Sequence, residues 1–368
     1  MSLPEMPGLL SADDLRRTAD SIVEVQLRNG MIPWFTGGHA DPWNHVEAAM
    51  ALAVTGHLYE AEAAYGWLTA NQHEDGSWHA YYVDGGVEDP KFDTNVIAYV
   101  ATGAWHHWLL TRDRGFLESL WPVVERALDY VLDLQTPRGE ILWARHPGGT
   151  PWSYALLTGS SSVCHSLRCG IAAAEELGHE RPDWELSLAH LAHVVRTRPG
   201  GAFAPKDRWA MDWYYPVLSG AVTGDEAALQ LASRFDEFIL PDRGVRCVGD
   251  KDWVTAAETC ECAMAYLLVG DQPMAERLFA WAQAMRSPDG RYLTGIAYPQ
   301  EVSFPDGEHT TYTAAAVILA ADALSGSSPA AGLFVDHRNL PEIIDVEIDV
   351  GIDPEIDPGI DLRIRDLD

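Results

Sequence analysis

Asn71-Gln72-His73-Glu74-Asp75-Gly76-Ser77-Trp78, followed after a loop by Phe92-Asp93-Thr94-Asn95 at the head of an apolar run, decides how this chain folds. The stretch ends one helix, turns at Gly76, crosses a long loop and opens a second helix. Weaker copies recur on both sides of it. Upstream, Ser11 caps a first helix from about residue 12 to 28, with Asp13 and Asp14 at its positive end, and Asn29-Gly30 stops it. Asp41-Pro42 then supplies a cap and a first helical position for HVEAAMALAVTG. Downstream, the same long-loop pattern joins further helix pairs, the last one ending near Leu324.

The periodicity predicts twelve helices in six pairs, with a long loop inside each pair and a short connector between pairs. The pairs return about every 45–60 residues, the mark of a repeat architecture. Short connectors make neighbouring helices antiparallel. Closing the repeats into a ring removes the exposed ends that an open array must cap. The second helices (AAMALAV, IAAAEEL, TAAAVILAADAL) are small and apolar, which suits a crowded inner ring. The expectation is an all-α (α/α)6 toroid over residues 1–335. Residues 336–368 repeat Ile-Asp with Pro and Gly, are acidic and lack a helical period, so they read as a disordered tail.

The formal charge of −30 repels nucleic acid and anionic membrane surfaces, and no basic run offsets it. The five cysteines contain no CxxC pair, and an odd number argues against a disulfide framework. The first residues lack the basic and apolar regions of a signal peptide, and no apolar run is long enough for a membrane span. The chain therefore reads as cytoplasmic with reduced thiols. Of 14 tryptophans, many sit beside Gly, Asp or Pro in loops, among them Trp34, Trp43, Trp78, Trp143, Trp213 and Trp253, which points to an aromatic-lined cavity.

In such a ring all six long loops lie on one face, and every second helix points its N-terminus at that face. The residues there include Asp41, Asn44, His45 and Glu47; Asp93, Thr94 and Asn95; the Ser160–Ser162 run; Asp212, Trp213 and Tyr214; Thr255 and Glu258; and His309, Thr310 and Tyr312. Asp41, Asp93 and Asp212 also serve as helix caps. Glu47 and Glu258 lie inside apolar helices, where a solvated face does not explain them. Six-fold geometry sets Asp93 opposite Glu258 and Glu47 opposite Asp212. Opposed carboxylates are the equipment of a glycosidase: one donates a proton to the leaving oxygen and the other activates water, at a separation of about 6.5–9.5 Å in inverting enzymes. Asp93, Glu258, Glu47 and Asp212 are thus the catalytic candidates. His45, Trp43, Asn95, Trp78, Trp213, Tyr214, Trp253 and Tyr312 are the candidates for holding a small-molecule or oligosaccharide substrate. The serine run lacks a Gly-x-Ser-x-Gly elbow, which argues against a serine nucleophile. No cofactor is called for.

Gly66-Trp67-Leu68 and Gln72-x-x-Asp75-Gly76-Ser77-Trp78 resemble the Gln/Trp repeat of the terpene cyclase and protein prenyltransferase toroids. To about residue 335 the chain also resembles a group of actinobacterial proteins commonly labelled prenyltransferase, whose fold is akin to six-hairpin glycosidases. Matching segments include GGHADPWNHVEAAMAL, DTNVIAYVATGAWHHWL, LLTGSSSVCHSLRC and WVTAAETCECAMA. The resemblance leaves two alternatives beside the glycosidase reading. One is isoprenoid chemistry, in which Glu258, Cys260 and His309 stand near the Asp-x-Cys…His zinc pattern of protein prenyltransferases, with Glu replacing Asp. Against it, no Asp-rich diphosphate motif is present. The other is a non-catalytic toroid that binds a glycan or lipid-linked sugar.

Overall fold

The computed structural model describes residues 3–198, 200–337 and 339–344. The helices and strands run, in order, α1 (Ala12–Val23), α2 (Pro42–Val54), α3 (Leu58–Asn71), β1 (Tyr81–Val83), β2 (Gly86–Asp89), β3 (Phe92–Asp93), α4 (Thr94–Ala98), α5 (Val100–Thr111), α6 (Arg114–Leu132), β4 (Ala144–Arg145), α7 (Leu157–Leu177), α8 (Pro182–Thr197) and α9 (Met211–Leu218). They continue with α10 (Gly224–Ser233), α11 (Phe235–Phe238), β5 (Ile239–Leu240), β6 (Gly244–Arg246), β7 (Trp253–Thr255), α12 (Ala256–Leu268), α13 (Gln272–Ala282), β8 (Leu293–Ala297), β9 (Val302–His309) and α14 (Thr311–Ser325). The expected helix pairs are all there, with two helices broken once each, at Tyr99 and at Arg234.

The second helix of each pair faces inward. Contacts run α2–α5–α7–α9–α12–α14 and back to α2, so the ring closes. These inner helices are buried on nearly every side, as α2 and α14 show. The outer helices bury one stripe; in α1 it is Leu15, Thr18, Ala19 and Ile22, one face at helical spacing.

Three copies of one clamp join the first four pairs in succession. Gln72 Nε2 donates to the Gly76 carbonyl at 3.0 Å and to Val123 in α6 at 2.9 Å. Gln26 does the same to Gly30 and Glu60 of α3, and Gln135 to Gly139 and Ser187 of α8. Gly30, Gly76 and Gly139 all adopt left-handed φ values, 95°, 94° and 110°. A Cβ on Gly76 would lie 2.1 Å from the Arg126 carbonyl oxygen, so the loop and α6 meet only through a glycine. Gly290, at φ 93°, presses on Arg17 and Thr18 of α1 in a related way and joins the last pair to the first.

The strictly all-α expectation is corrected by the loops. A two-stranded sheet pairs β1 with β2, a second pairs β3 with β4, and the loops of pairs five and six build a five-stranded antiparallel sheet in the order β5-β6-β7-β8-β9. Loops of this length carry many backbone polar groups, and at the crowded mouth of the ring those groups pair with one another as strands.

Residues 330–337 and 339–341 fold back on the ring. The Leu333 carbonyl accepts from His165 Nε2 at 3.2 Å, Trp105 Nε1 donates to the Asn339 carbonyl at 3.1 Å, and Arg168 Nε donates to the Pro341 carbonyl at 3.1 Å. The disorder expected of the tail falls mostly on residues 345–368, which lie outside the described residues. No helix among the described residues is long and apolar enough to cross a membrane.

Candidate active site

At the end where the inner helices start, a cavity of about 450 Å³ opens. Every inner hairpin contributes to its lining: Asp41, Trp43 and Glu47; Asp93 and Asn95; Leu156, Thr158 and Gly159; Met211 and Asp212; Ala257, Glu258 and Glu261; and Tyr312. Loop residues Trp34, Tyr81, Trp143, Lys206 and Trp209 complete it. The volume lies within the roughly 300–1,000 Å³ typical of small-molecule sites.

The carboxylates stand at two depths. Asp41 and Asp93 are the N-caps of α2 and α4, at the rim. Glu47 and Glu261 each lie six residues past an N-cap, Asp41 or Thr255, so they sit about 9 Å deeper along their helices. Tyr99 occupies the same level on its own helix, six residues past Asp93.

Loop pairing sets the rim. Asp93 pairs with Ala144 across β3–β4, and the Thr94 amide donates to the Trp143 carbonyl at 2.9 Å. This register brings Trp143 Nε1 to 2.5 Å from Asp93 Oδ2. Oδ1 is buried with no hydrogen-bond partner. Burial raises the Asp93 carboxyl to about 7, against the pull of Lys91, Trp143 and the first amides of α4. Asp41 is better satisfied. Its Oδ2 accepts from Trp34 Nε1 at 2.7 Å and Asn44 Nδ2 at 2.9 Å, and its Oδ1 from the Asn44 amide at 3.0 Å. Glu258, partly exposed, is also raised by burial. Asp212 Oδ1 accepts from the Thr158 amide at 3.1 Å and the Thr158 hydroxyl at 2.6 Å, tying α9 to the start of α7.

Glu47 and Glu261 form the floor. Trp43 Nε1 and Tyr99 hydroxyl donate to Glu47 at 2.8 and 3.1 Å, and the Tyr214 hydroxyl donates to Glu261. Burial raises both carboxyls; repulsion from Asp41 adds to Glu47, and repulsion from Glu47 and Glu258 adds to Glu261. Buried carboxyls whose charges repel do not both ionise readily, so the floor favours the protonated form.

The cavity gathers Asp93, Glu258, Glu47 and Asp212, together with Trp43, Asn95 and Tyr312. Four other substrate-binding candidates are corrected. His45 is fully buried; its Nδ1 accepts from the Ile32 amide at 3.0 Å and its Nε2 donates to the Ala64 carbonyl at 2.9 Å, a neutral ring that burial holds near a pKa of about 4. Trp78 is buried with Nε1 on the Leu68 carbonyl, and Trp213 with Nε1 on the Gln230 carbonyl. Tyr214 reaches the site only through Glu261. A helix start exposes only the turn facing the axis, and these side chains point between helices instead. Trp253 lines a neighbouring cavity, described below.

The zinc alternative is corrected as well. Among the described residues no group of three or more His, Cys, Asp or Glu side chains is placed to hold a metal. Cys260 is fully buried with its thiol pushed upward, and His309 Nε2 is engaged by Ser287 Oγ at 2.8 Å. All five cysteines are unbonded and buried.

In the sequence Asp41 reads as a cap at the loop face and Trp34 and Trp143 as loop tryptophans of an aromatic-lined cavity, while nothing local singles out Glu261, Tyr81 or Trp209. Glu261 was within reach only through Glu258, because it follows by three residues and so shares its helix face.

No family model matches the chain. Over 333 residues it is 48% identical to the MMP endo-(1,4)-3-O-methyl-alpha-D-mannosidase of Mycolicibacterium hassiacum, a match spanning 90% of this chain and 92% of that protein. The chain belongs to the family of this mannosidase. Among solved structures, a glycosidase variant in complex with glucose superposes with a TM-score of 0.66 at 16% identity, covering 88% of this chain and 97% of that one. The GH63 mannosylglycerate hydrolase from Thermus thermophilus, in complex with glucose, gives 0.62 at 12% identity, covering 84% and 99%. Both share the toroid. This member of the mannosidase family is a carbohydrate-active, glycoside-hydrolase-like enzyme. The prenyltransferase label and the non-catalytic reading give way to that relationship.

Proposed function

We propose that this protein is an endo-acting α-mannosidase that hydrolyses internal (1,4) linkages in 3-O-methylated mannose oligosaccharides. The observation that carries this reading is the near full-length match to an enzyme of that activity, joined to a cavity that all six inner hairpins line with carboxylates and aromatic rings. Trp and Tyr rings offer apolar faces to sugars, while Asn95 and Lys206 supply hydrogen bonds to hydroxyls.

Glu258 and Asp93 divide the chemistry in this reading. Glu258, its carboxyl raised by burial and standing between the two sugars, gives its proton to the interglycosidic oxygen as the bond to C1 breaks. Asp93 takes the proton of the water that attacks C1. Burial raises its carboxyl to about 7, Lys91, the Trp143 indole and the first amides of α4 pull it back towards the charged form, and its unpartnered Oδ1 is ready to accept a hydrogen bond. Asp41 is a poorer base because both its oxygens are already engaged. Glu47 and Asp212 shape and anchor the cavity around this pair. Residues 1–335 form the catalytic toroid, and the reduced, buried cysteines suit a cytoplasmic enzyme.

The test is turnover of a 3-O-methylated α-(1,4)-mannooligosaccharide by wild type, Glu258→Gln and Asp93→Asn. Wild type should release shorter internal fragments, and each variant should lose about 10²–10⁴-fold in kcat. An Asp93→Asn enzyme of wild-type kcat would remove Asp93 from the mechanism.

A further inference from the structure

The catalytic cavity does not end at Glu258. A second cavity of about 370 Å³ opens beyond it, and the two share Trp34, Trp209, Ala257, Glu258 and Tyr312 as their partition. The far wall belongs to the five-stranded sheet and its turns. Trp253 and Phe304 stack there with centroids 4.7 Å apart and an interplanar angle of 21°, beside Val248, Cys247 and Pro305. Strand register holds that pair rigid: Trp253 lies opposite Ala297 and Phe304 opposite Gly295. Trp209, 44% exposed, stands in the partition, a bare indole against which a chain of sugars can pass.

We infer that this second cavity holds the sugars on the leaving-group side of the scissile bond, and that its apolar wall selects those bearing O-methyl groups. The inference rests on the endo-mannosidase reading. A proton donor must touch the oxygen that joins two sugars, so those sugars lie on either side of Glu258. Asp93 lines only the first cavity, so C1 and the attacking water belong there. The departing chain then occupies the second. An enzyme that cuts inside a chain needs such a place on both sides of the bond. The wall chemistry fits the modification. A free hydroxyl buried against Trp253, Phe304, Val248 and Pro305 would lose its hydrogen bonds to water, whereas a methyl ether gains from burial. Each buried methyl contributes about four-fold in affinity.

The experiment compares matched α-(1,4)-mannooligosaccharides, 3-O-methylated and unmethylated, with wild type, Trp253→Ala and Phe304→Leu. Melting temperature checks that each variant is folded, and Phe304→Leu keeps apolar volume should the tryptophan variant unfold. Wild type should show a KM several-fold lower for the methylated chain. The variants should raise that KM about ten-fold, erase the preference and move cleavage towards the chain end, with kcat falling less than KM rises. Unchanged KM, preference and fragment lengths in a folded variant would overturn the assignment of this cavity. A wild type that cleaved neither chain would instead overturn the mannosidase reading itself.

Discussion

Glu258 and Glu261 lie one turn apart on the same helix and line the same cavity, yet their surroundings differ completely. Glu258 is partly exposed and borders two cavities. Glu261 is buried, accepts from the Tyr214 hydroxyl and is repelled by Glu47. Glu258 alone of the pair reaches solvent, whereas Glu47 and Glu261 on the floor are enclosed, each holding a tyrosine hydroxyl. One helical turn of depth separates a group that can exchange a proton with a sugar from one that stores a proton and holds the floor in shape. Asp93 and Tyr99 repeat the contrast on the inner segment across the ring, with the carboxylate at the rim and the hydroxyl below.

The sharpest way to break this comparison is a paired substitution on α12. Glu258→Gln should cost about 10²–10⁴-fold in kcat on oligosaccharides, and far less on an aryl mannoside whose leaving group needs no proton. Glu261→Gln should keep activity within about ten-fold of wild type on both substrates. Equal losses in the two variants would end the distinction between rim and floor.

The floor should show itself in stability. Burial lifts the Glu47 and Glu261 carboxyls, and Asp93 to about 7 from 3.8. A carboxyl raised in the fold contributes stability that is complete below its unfolded value and is lost as pH rises through the folded one. Melting temperature should therefore fall between about pH 5 and pH 8. Glu47→Gln cannot ionise, so it should flatten that profile and melt higher than wild type at pH 8, by about 1–2 kcal/mol or a few degrees. A variant that follows the wild-type profile would exclude Glu47 as a source of the pH dependence.

Smaller effects should appear at the rim. Asp41→Ala removes the cap of α2 and the anchor of Trp34, and chemical denaturation should report a loss of about 0.5–2 kcal/mol. Lys91 holds the Asp93 carboxyl down. Lys91→Met should thus raise the Asp93 pKa and move the acid limb of kcat/KM to higher pH. A stationary limb would argue that another group sets it.

Much of this was legible in the chain. The Gln-x-x-x-Gly clamps at Gln26, Gln72 and Gln135 mark three ends of outer helices, and the small apolar second helices mark the inside, because helix period, caps and glycine turns are local properties. The candidates Asp93, Glu258, Glu47 and Asp212 were legible too, since Asp93, Glu258 and Asp212 lie at the starts of inner helices and Glu47 one turn further in, inside an apolar helix that a solvated face does not explain. The opening stretch itself proved structural. Gln72 clamps, Gly76 permits close approach, and Trp78 is buried on the Leu68 carbonyl.

What local pattern cannot carry is which way a side chain points and which distant loop it meets. Trp213 and Tyr214 sit at a helix start like Asp212, yet only Asp212 lines the cavity. Trp143 reaches Asp93 only because two loops pair as β3 and β4, and the Trp253–Phe304 wall exists only because five short strands from two hairpins come into register. The repeat in the sequence determined the ring and the level of its candidate carboxylates. The tertiary structure decided which rings frame them, which carboxylates repel, and that Glu258 stands between two cavities, because burial, repulsion and strand register all depend on residues far apart in the chain.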